Sequence, residues 1–251
     1  MRIIRVPLKA EKWQVDILHR RMNLCSSIYN RLADEYERTY HRMTQDIEYI
    51  VARNTIDEAY NRQDDKLEAA KKKPAYRAAV RAQSKMYKKY GFSSYHFVDR
   101  AIEVAGDYKE ILPTRVAHYT IGLPLWDSFH NYLIGRSSSL KRKATGSQQS
   151  VISDGRSGIR LIDDTGKARR GGVDVDQPLF VVYGRGKGKR ALKLPVRIDP
   201  RNDYMRRYLA CPMRWISITR CVDRKGRDSV VALILIDDSA VSEQKDDNTS
   251  V

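Results

Sequence analysis

Cationic side chains recur at four-residue steps between positions 73 and 89, a spacing suited to binding phosphate groups. Residues four apart lie close together on a helix, so the spacing predicts a ridge that winds slowly round one helix. Because no Asp or Glu occurs between Glu68 and Asp99, salt bridges within that helix cannot neutralise the ridge. We therefore favour phosphate contact over a merely solvated face, which is the alternative. The cationic ridge comprises Lys73, Arg77, Arg81, Lys85, Lys88 and Lys89.

Two further cationic clusters follow later in the chain. Lys141, Arg142 and Lys143 come after a predicted helix, on its exit loop. The run from Gly184 to Arg190 alternates glycine with cations, but it lacks the spacing of a nucleotide-binding phosphate loop and no helix follows it. We interpret the run as a β-turn that reaches a backbone phosphate, and a plain solvent-exposed turn is the alternative. Its cations are Arg185, Lys187, Lys189 and Arg190.

Residue patterns typical of catalysis or metal binding are weak. The five histidines form no metal-binding pair on a helix, and the three cysteines form no C-x-x-C motif. Asp174 and Asp176 could mimic the first strand of a magnesium-dependent nuclease of the RNase H type, but their flanks leave little room for a strand. Asp237 and Asp238 close the last apolar run. Two-metal cleavage needs several converging carboxylates, so we predict no catalytic residue, metal site or cofactor in this chain.

The composition favours a polyanionic partner. The formal net charge is +16 and the isoelectric point is near 9.8, values that fit nucleic acid better than a membrane surface. No apolar run of about 18 residues occurs, so we expect neither a membrane-spanning helix nor a membrane partner. The unpaired cysteines favour a reducing compartment, and we expect a cytoplasmic protein.

Glycine is distributed unevenly and predicts the fold class. All 14 glycines lie at or after Gly91, and neither glycine nor proline occurs between Pro7 and Pro74. The front half therefore favours long helices, while short apolar runs between turns from Ser150 onward favour antiparallel strands. We predict an α+β fold in which an N-terminal strand joins a small antiparallel β-barrel and a large helical segment is inserted between them.

The predicted organisation has four parts. Residues 1–10 form the first barrel strand, 11–145 a helical lobe, 146–238 the rest of the barrel, and 239–251 a disordered acidic tail. Within the helical lobe, one long helix begins near Glu11 and either continues or breaks near Asn23 or Thr44. A second helix runs from Pro74 to about Tyr90. Two later helices are predicted from Thr114 to about Ile121 and, after Pro124, from Leu125 to Leu133.

Several local stretches, in this order, resemble a known family. Arg2–Lys9 followed by Ile28-Tyr29-Asn30-Arg31-Leu32 is similar to the opening strand and helix of TnpB (OrfB) transposon-encoded RNA-guided nucleases. Ile111–Ala117 and Trp126–Arg136 are similar to later helices of their insertion. Arg214–Asp237 resembles the hairpin that precedes their nuclease domain. The resemblance covers residues 1–237 and extends equally to the type V CRISPR effectors.

The resemblance implies a nucleic-acid-binding N-terminal half of an RNA-guided DNA endonuclease. In that family the barrel, called the wedge, and the helical recognition lobe hold a guide RNA and its heteroduplex with target DNA by shape and backbone. It implies nucleic-acid contacts at Tyr29 and Asn30, besides the cationic ridge and the two later clusters. The family's RuvC nuclease domain would follow the last hairpin, so we expect no cleavage by this chain as it stands. Magnesium would belong to that domain, and a separate nuclease half would be a further partner.

Two other functions remain open from the residues alone. One is an unrelated basic adaptor that binds RNA or DNA without a guide. The other is a magnesium-dependent enzyme that uses Asp174 or Asp176. Whether the chain derives from a transposon or from a CRISPR locus is not decided by these residues.

Overall fold

A computed structural model describes residues 1–60, 71, 73–166, 177–185, 190–199, 201–222 and 228–239. The predicted tail beyond residue 239 therefore lies outside the described residues. The strands are β1 (Arg2–Leu8), β2 (Ser150–Ser153), β3 (Ile159–Ile162), β4 (Phe180–Tyr183), β5 (Leu192–Pro195), β6 (Met213–Val222) and β7 (Asp228–Ile236). The α-helices are α1 (Lys12–Thr44), α2 (Ile47–Tyr60), α3 (Pro74–Lys89), α4 (Ser94–Val104), α5 (Thr114–Ala117), α6 (Leu123–Leu133) and α7 (Asp203–Leu209).

The first strand pairs with the last. β1 runs antiparallel to β7 in a register from Arg2 opposite Ile236 to Leu8 opposite Val230. The four-stranded sheet has the order β1-β7-β6-β2, and a three-stranded antiparallel sheet has the order β3-β4-β5. The expected α+β class with antiparallel sheets is confirmed, as is the return of the opening strand to the late strands. All the described helices except α7 lie between β1 and β2 in the chain.

Pro7 is tolerated in β1 because of the edge on which it lies. The carbonyl oxygen of Pro7 accepts a hydrogen bond from the Arg197 amide at 2.9 Å, and the Lys9 amide donates to the Pro195 carbonyl at 2.8 Å. The backbone N–H and C=O groups of the odd-numbered residues of β1 therefore point away from β7. The missing amide of Pro7 falls on the edge where β1 meets the second sheet through one bridge, Leu8 to Val196.

The long α1 helix is anchored at its start and buried along one stripe. Glu11 and Gln14 form a reciprocal capping box at its N-terminus. Leu18, Cys25 and Leu32 face the core and are almost fully buried. The helix stays unbroken past Asn23 and ends at Thr44, so the break expected near Thr44 is confirmed and the one near Asn23 is wrong.

Helices α2 and α3 pack against each other around a small apolar cluster of their own. Its buried members are Ala52, Ile56 and Ala79. Asp46, between α1 and α2, accepts a hydrogen bond from Lys89 at 2.9 Å. That bond, ahead of smaller effects, holds the pKa of the Asp46 carboxyl below its ordinary value. The α2–α3 hairpin is thus attached at its base to the end of α1.

The segment from Thr114 to Leu133 departs from the sequence prediction. Two helices separated near Pro124 were expected, but α5 continues through a π-helix, His118–Gly122, directly into α6. Pro124, which has no amide hydrogen to donate to the preceding turn, lies directly after the π-helix in the first turn of α6. A Cβ on Gly122 would lie 2.8 Å from the Val98 Cα, so this glycine allows the close approach of α4.

One hydrophobic cluster runs through both the helical segment and the strands. It includes Ile4 of β1, Leu32 of α1, Phe129 of α6 and Ile216 of β6, each at most 1% exposed. The helical region and the strand-rich region, predicted to divide between residues 145 and 146, therefore share one hydrophobic core. Among the described residues, no helix is both long and apolar enough to cross a membrane.

Two neighbouring residues of β1 test this packing. Ile4 is 1% exposed and Ile3 is 54% exposed. We expect Ile4→Ala to lower the free energy of unfolding by about 2–4 kcal/mol, because it opens a cavity in the core. Ile3→Ala, the matched control, should cost less than about 1 kcal/mol. Urea denaturation followed by circular dichroism measures both, and equal losses would contradict the inward orientation of Ile4.

Candidate nucleic-acid interface

The cationic ridge lies on the outer side of α3. Its residues Lys73, Arg77, Arg81, Lys85, Lys88 and Lys89 are all exposed. Ala79 and Met86, the buried residues of this helix, lie about 150° round the helix from the centre of the ridge at about 100° per residue. The helix therefore packs with one side and presents the charged side to solvent.

Most of the ridge lacks a compensating carboxylate. Lys89 forms an ion pair with Asp46 at 2.9 Å. Among the described residues, no ion pair involves the other five ridge cations. Their charges are therefore free to meet phosphate without first breaking an ion pair.

Arg21 of α1 binds backbone carbonyls at both ends of the glycine-rich cationic run. This guanidinium is 2% exposed and donates to the Tyr183 carbonyl at 3.0 Å and the Arg190 carbonyl at 2.8 Å. It also lies over the Tyr183 ring, with 4.6 Å from Cζ to the ring centre. Burial lowers the pKa of Arg21 below its ordinary value. Both ends of the run, at Tyr183 and Arg190, are thus fixed by one buried cation.

Glu110 also contacts this run, at Arg185 and at Arg190. Its carbonyl accepts from the Arg185 amide at 2.9 Å, and its carboxylate pairs with the Arg190 guanidinium at 2.9 Å. Arg185 is exposed and, among the described residues, carries no ion pair. Lys187 and Lys189 lie outside the described residues. Of the predicted contacts in this run, Arg185 is free and Arg190 is already paired.

Tyr29 and Asn30 have structural roles in this fold. Tyr29 is 3% exposed, and the Lys143 ammonium lies 4.5 Å from its ring centre. A ring buried in this way offers no open face for a base to stack on. The Asn30 amide donates to the Lys143 carbonyl and accepts from the Lys143 amide, both at 2.8 Å.

The Lys141–Lys143 cluster divides into three different environments. Lys141 is exposed and carries no ion pair among the described residues. Arg142 pairs with Asp34 at 2.8 Å and with Glu37 at 2.7 Å. Lys143 turns inward, where burial lowers its pKa below the ordinary value. Only Lys141 is therefore placed for a new phosphate contact.

The fold also gathers cations that the sequence argument missed. Arg5 of β1, Lys9 directly after it and Arg197 after β5 line a groove of ≈ 1090 Å³. Asp228, the carboxylate in its lining, is engaged by Arg220 at 2.8 Å. Arg5 donates to the Cys221 sulfur at 3.4 Å, and neither Lys9 nor Arg197 forms an ion pair among the described residues. The alternation of exposed and buried residues along β1 could have predicted that Arg5 is exposed. Arg197 lies beside it because of the Leu8–Val196 bridge, which the sequence does not predict.

The described carboxylates do not gather into a metal site. Among these residues, no group of three His, Cys, Asp or Glu side chains could hold a metal ion. Asp237 pairs with Arg214 at 2.5 Å, and Asp238 pairs with the N-terminal ammonium at 2.7 Å. Those two hydrogen bonds are the main reason that the pKa of each carboxyl lies below its ordinary value. Asp174 and Asp176 lie outside the described residues, so the magnesium hypothesis is not tested.

Gly184 allows the basic run to leave β4 in its observed direction. Its φ is +98°, and a Cβ there would lie 2.3 Å from the Arg190 carbonyl oxygen. We expect Gly184→Ala to lower the free energy of unfolding by about 2–4 kcal/mol through backbone strain and overpacking. Gly146→Ala is the control, because its φ of +75° carries the same backbone penalty while no atom lies within 4 Å of the added Cβ.

Thermal or urea denaturation of the two glycine variants separates the cost of the left-handed backbone from the cost of overpacking. The control should lose about 1–2 kcal/mol, the usual cost of a left-handed non-glycine residue. If both variants lose the same amount, the contact between Gly184 and the Arg190 carbonyl does not constrain the run.

No protein-family model and no curated protein matches the chain. A function for it therefore has to be argued from the residues and geometry above. These are an exposed cationic ridge, a cationic groove beside β1, and single free cations at Lys141 and Arg185.

Proposed function

We propose that this chain binds nucleic acid through its phosphate backbone, as a module similar to the N-terminal half of TnpB-like and type V RNA-guided nucleases. In this proposal the two antiparallel sheets form the small wedge barrel and the helices form the recognition lobe. Guide RNA and target DNA are the partners. Catalysis and its magnesium belong to a RuvC domain or to a separate nuclease half.

The observation that carries the proposal is the set of unpaired cations on α3. Five exposed Lys and Arg side chains lie on one face of a helix without a described carboxylate partner. From Lys73 to Lys88 the helix rises about 22 Å at about 1.5 Å per residue. At about 3.4 Å of axial rise per nucleotide step, this length equals roughly six steps along the axis of a duplex. Mutual repulsion along such a face is relieved when a polyanion binds.

The order of structural parts supports the more specific proposal. The opening strand pairs with β7, and the helical segment lies between β1 and the late strands, as the resemblance implies. The Leu8–Val196 bridge joins β1 to β5, giving a strand order of β3-β4-β5-β1-β7-β6-β2. β2 and β3, at the two ends of this order, are consecutive in the chain, which favours a closed or nearly closed barrel.

The alternative of an unrelated basic adaptor differs in the RNA that it retains. A guide-binding module should copurify with one defined, structured RNA species from its native host. An adaptor that reads only charge should retain a heterogeneous mixture. Sequencing the RNA bound to the purified protein distinguishes the two.

Removing four ridge charges tests the electrostatic mechanism. We expect the combined variant Arg77→Gln, Arg81→Gln, Lys85→Gln and Lys88→Gln to bind a 20-base-pair RNA–DNA heteroduplex at least tenfold more weakly in low salt. Each lost phosphate contact removes about 0.9 from the slope of log affinity against log salt, so the slope should become shallower by about 2–4. Fluorescence anisotropy at several salt concentrations measures both quantities.

A control variant separates local contacts from net charge. Lys12→Gln, Lys109→Gln, Arg136→Gln and Arg201→Gln together remove the same number of lysines and arginines from exposed positions outside the ridge. This variant should lose less than about threefold in affinity and keep most of the slope. Equal losses in the two variants would mean that only total charge matters, and an unchanged ridge variant would remove the basis of the proposal.

A further inference from the structure

The short helix α7 carries an exposed tyrosine beside a group of arginines. The Asn202 side chain caps the helix by accepting from the Met205 amide at 3.1 Å. Met205, Tyr208 and Leu209 are buried, whereas Tyr204 is 47% exposed. A cavity of ≈ 820 Å³ opens here, lined by Arg2, Asp203, Tyr204, Arg206, Arg207 and Tyr208.

Arg2 organises the two tyrosines of this cavity. Its guanidinium lies 4.5 Å from the Tyr208 ring centre and donates to the Tyr208 hydroxyl at 2.5 Å. The Tyr204 and Tyr208 ring centres are 4.6 Å apart. A hydrogen bond to Tyr204 is the main reason that the pKa of Arg2 is raised above its ordinary value. Tyr208 is covered, and Tyr204 keeps nearly half of its surface in solvent.

The charge balance of the cavity is positive. Three arginines face one lining carboxylate, Asp203, and Arg2 also lies 3.5 Å from Asp238. Arg207 is exposed and carries no ion pair among the described residues. An aromatic ring that is open to solvent beside a free guanidinium matches the two parts of a nucleotide: a planar base and a phosphate.

The cavity continues the groove already described. A depression of ≈ 400 Å³, lined among others by Arg5, Arg197, Asn202 and Met205, lies between the groove and α7. Arg5 lies on the exposed face of β1, whereas Arg2 projects from the opposite face at the start of the strand and contacts α7. The depression therefore provides the route by which a polyanionic strand that enters beside Lys9 and Arg197 reaches Tyr204.

We propose that Tyr204 stacks one unpaired nucleobase of a single strand whose backbone passes Arg197 and the depression beside α7, with Arg207 and Arg2 beside its phosphates. This inference rests on the proposed function and adds a site for single-stranded nucleic acid, distinct from the α3 ridge. Stacking on Tyr204 needs a base that is free of a duplex, so the site prefers a strand or a strand end over a continuous helix.

The test uses the full chain and two fluorescein-labelled probes: a 12-nucleotide oligouridine and the same backbone without bases. Loss of stacking at one base costs about 5- to 150-fold, the equivalent of about 1–3 kcal/mol. We expect Tyr204→Ala to lose affinity for oligouridine within that range and to bind the abasic probe within twofold of wild type. Tyr204→Phe keeps the ring and should stay within about threefold of wild type on both probes.

The controls distinguish failure of this site from failure of the proposed function. Tyr95→Ala removes another exposed tyrosine, 82% exposed on α4, and should leave both affinities unchanged. If Tyr204→Ala binds oligouridine as wild type does, or loses both probes equally, the stacking site is wrong even though the protein binds nucleic acid. If wild type binds neither the oligouridine nor the heteroduplex, the proposed function itself is wrong.

Discussion

The antiparallel pairing of β1 with β7 is the constraint on which the rest of the structure depends. It joins the first residues of the chain to the late strands across seven paired positions. The segment from α1 to α6, taken as a whole, is therefore attached at both ends to one sheet, through β1 before it and β2 after it. The pairing also leaves the opposite edge of β1 to meet β5, which brings Arg5 and Lys9 beside Arg197. The cationic groove is thus a direct consequence of how the chain ends are joined.

Burial divides the cations of this protein into two groups with different roles. Arg21 and Lys143 lie inside, where their donors satisfy backbone carbonyls or their charges face tyrosine rings. Both have lowered pKa values because burial disfavours their charged forms. They hold the ends of the basic run and the segment after α6. The cations of the ridge have no such structural role, because α3 packs through apolar residues on the opposite side of the helix. Cations without a structural partner are the ones left for phosphate.

Periodicity predicted the elements whose signal is local. The end of α1 near Thr44 and the span of α3 followed from apolar spacing, Pro74 and Gly91, and the exposure of the ridge followed from four-residue steps. β1 lies within the predicted span 1–10 but is shorter at both ends. Helix α7 was not predicted, because seven residues are too short to establish a helical period. The π-helix was not predicted, because a proline such as Pro124 usually indicates a helix boundary, whereas here the helix continues past Pro124.

Site residues were harder to predict than elements, because their roles depend on partners far away in the chain. Tyr29 lies at a helical position that suits either the core or the surface, and its contact with Lys143 is set by the tertiary fold. Arg142 reads as a free cation until Asp34 and Glu37 are brought beside it. Arg197 gains its place in the groove only through the bridge to Leu8. A sequence gives charge and spacing, while the pairing of charges across more than 100 residues depends on the packed structure.

The central claim is that the unpaired cations of α3 contact phosphate, and lysine footprinting tests it most directly. The protein is acetylated briefly with and without a bound RNA–DNA heteroduplex, and the modified sites are quantified by mass spectrometry. The account predicts that Lys73, Lys85 and Lys88 become at least fivefold less reactive in the complex, while Lys12 and Lys109 keep their reactivity. Undiminished modification of the three ridge lysines in a fully bound complex would contradict it.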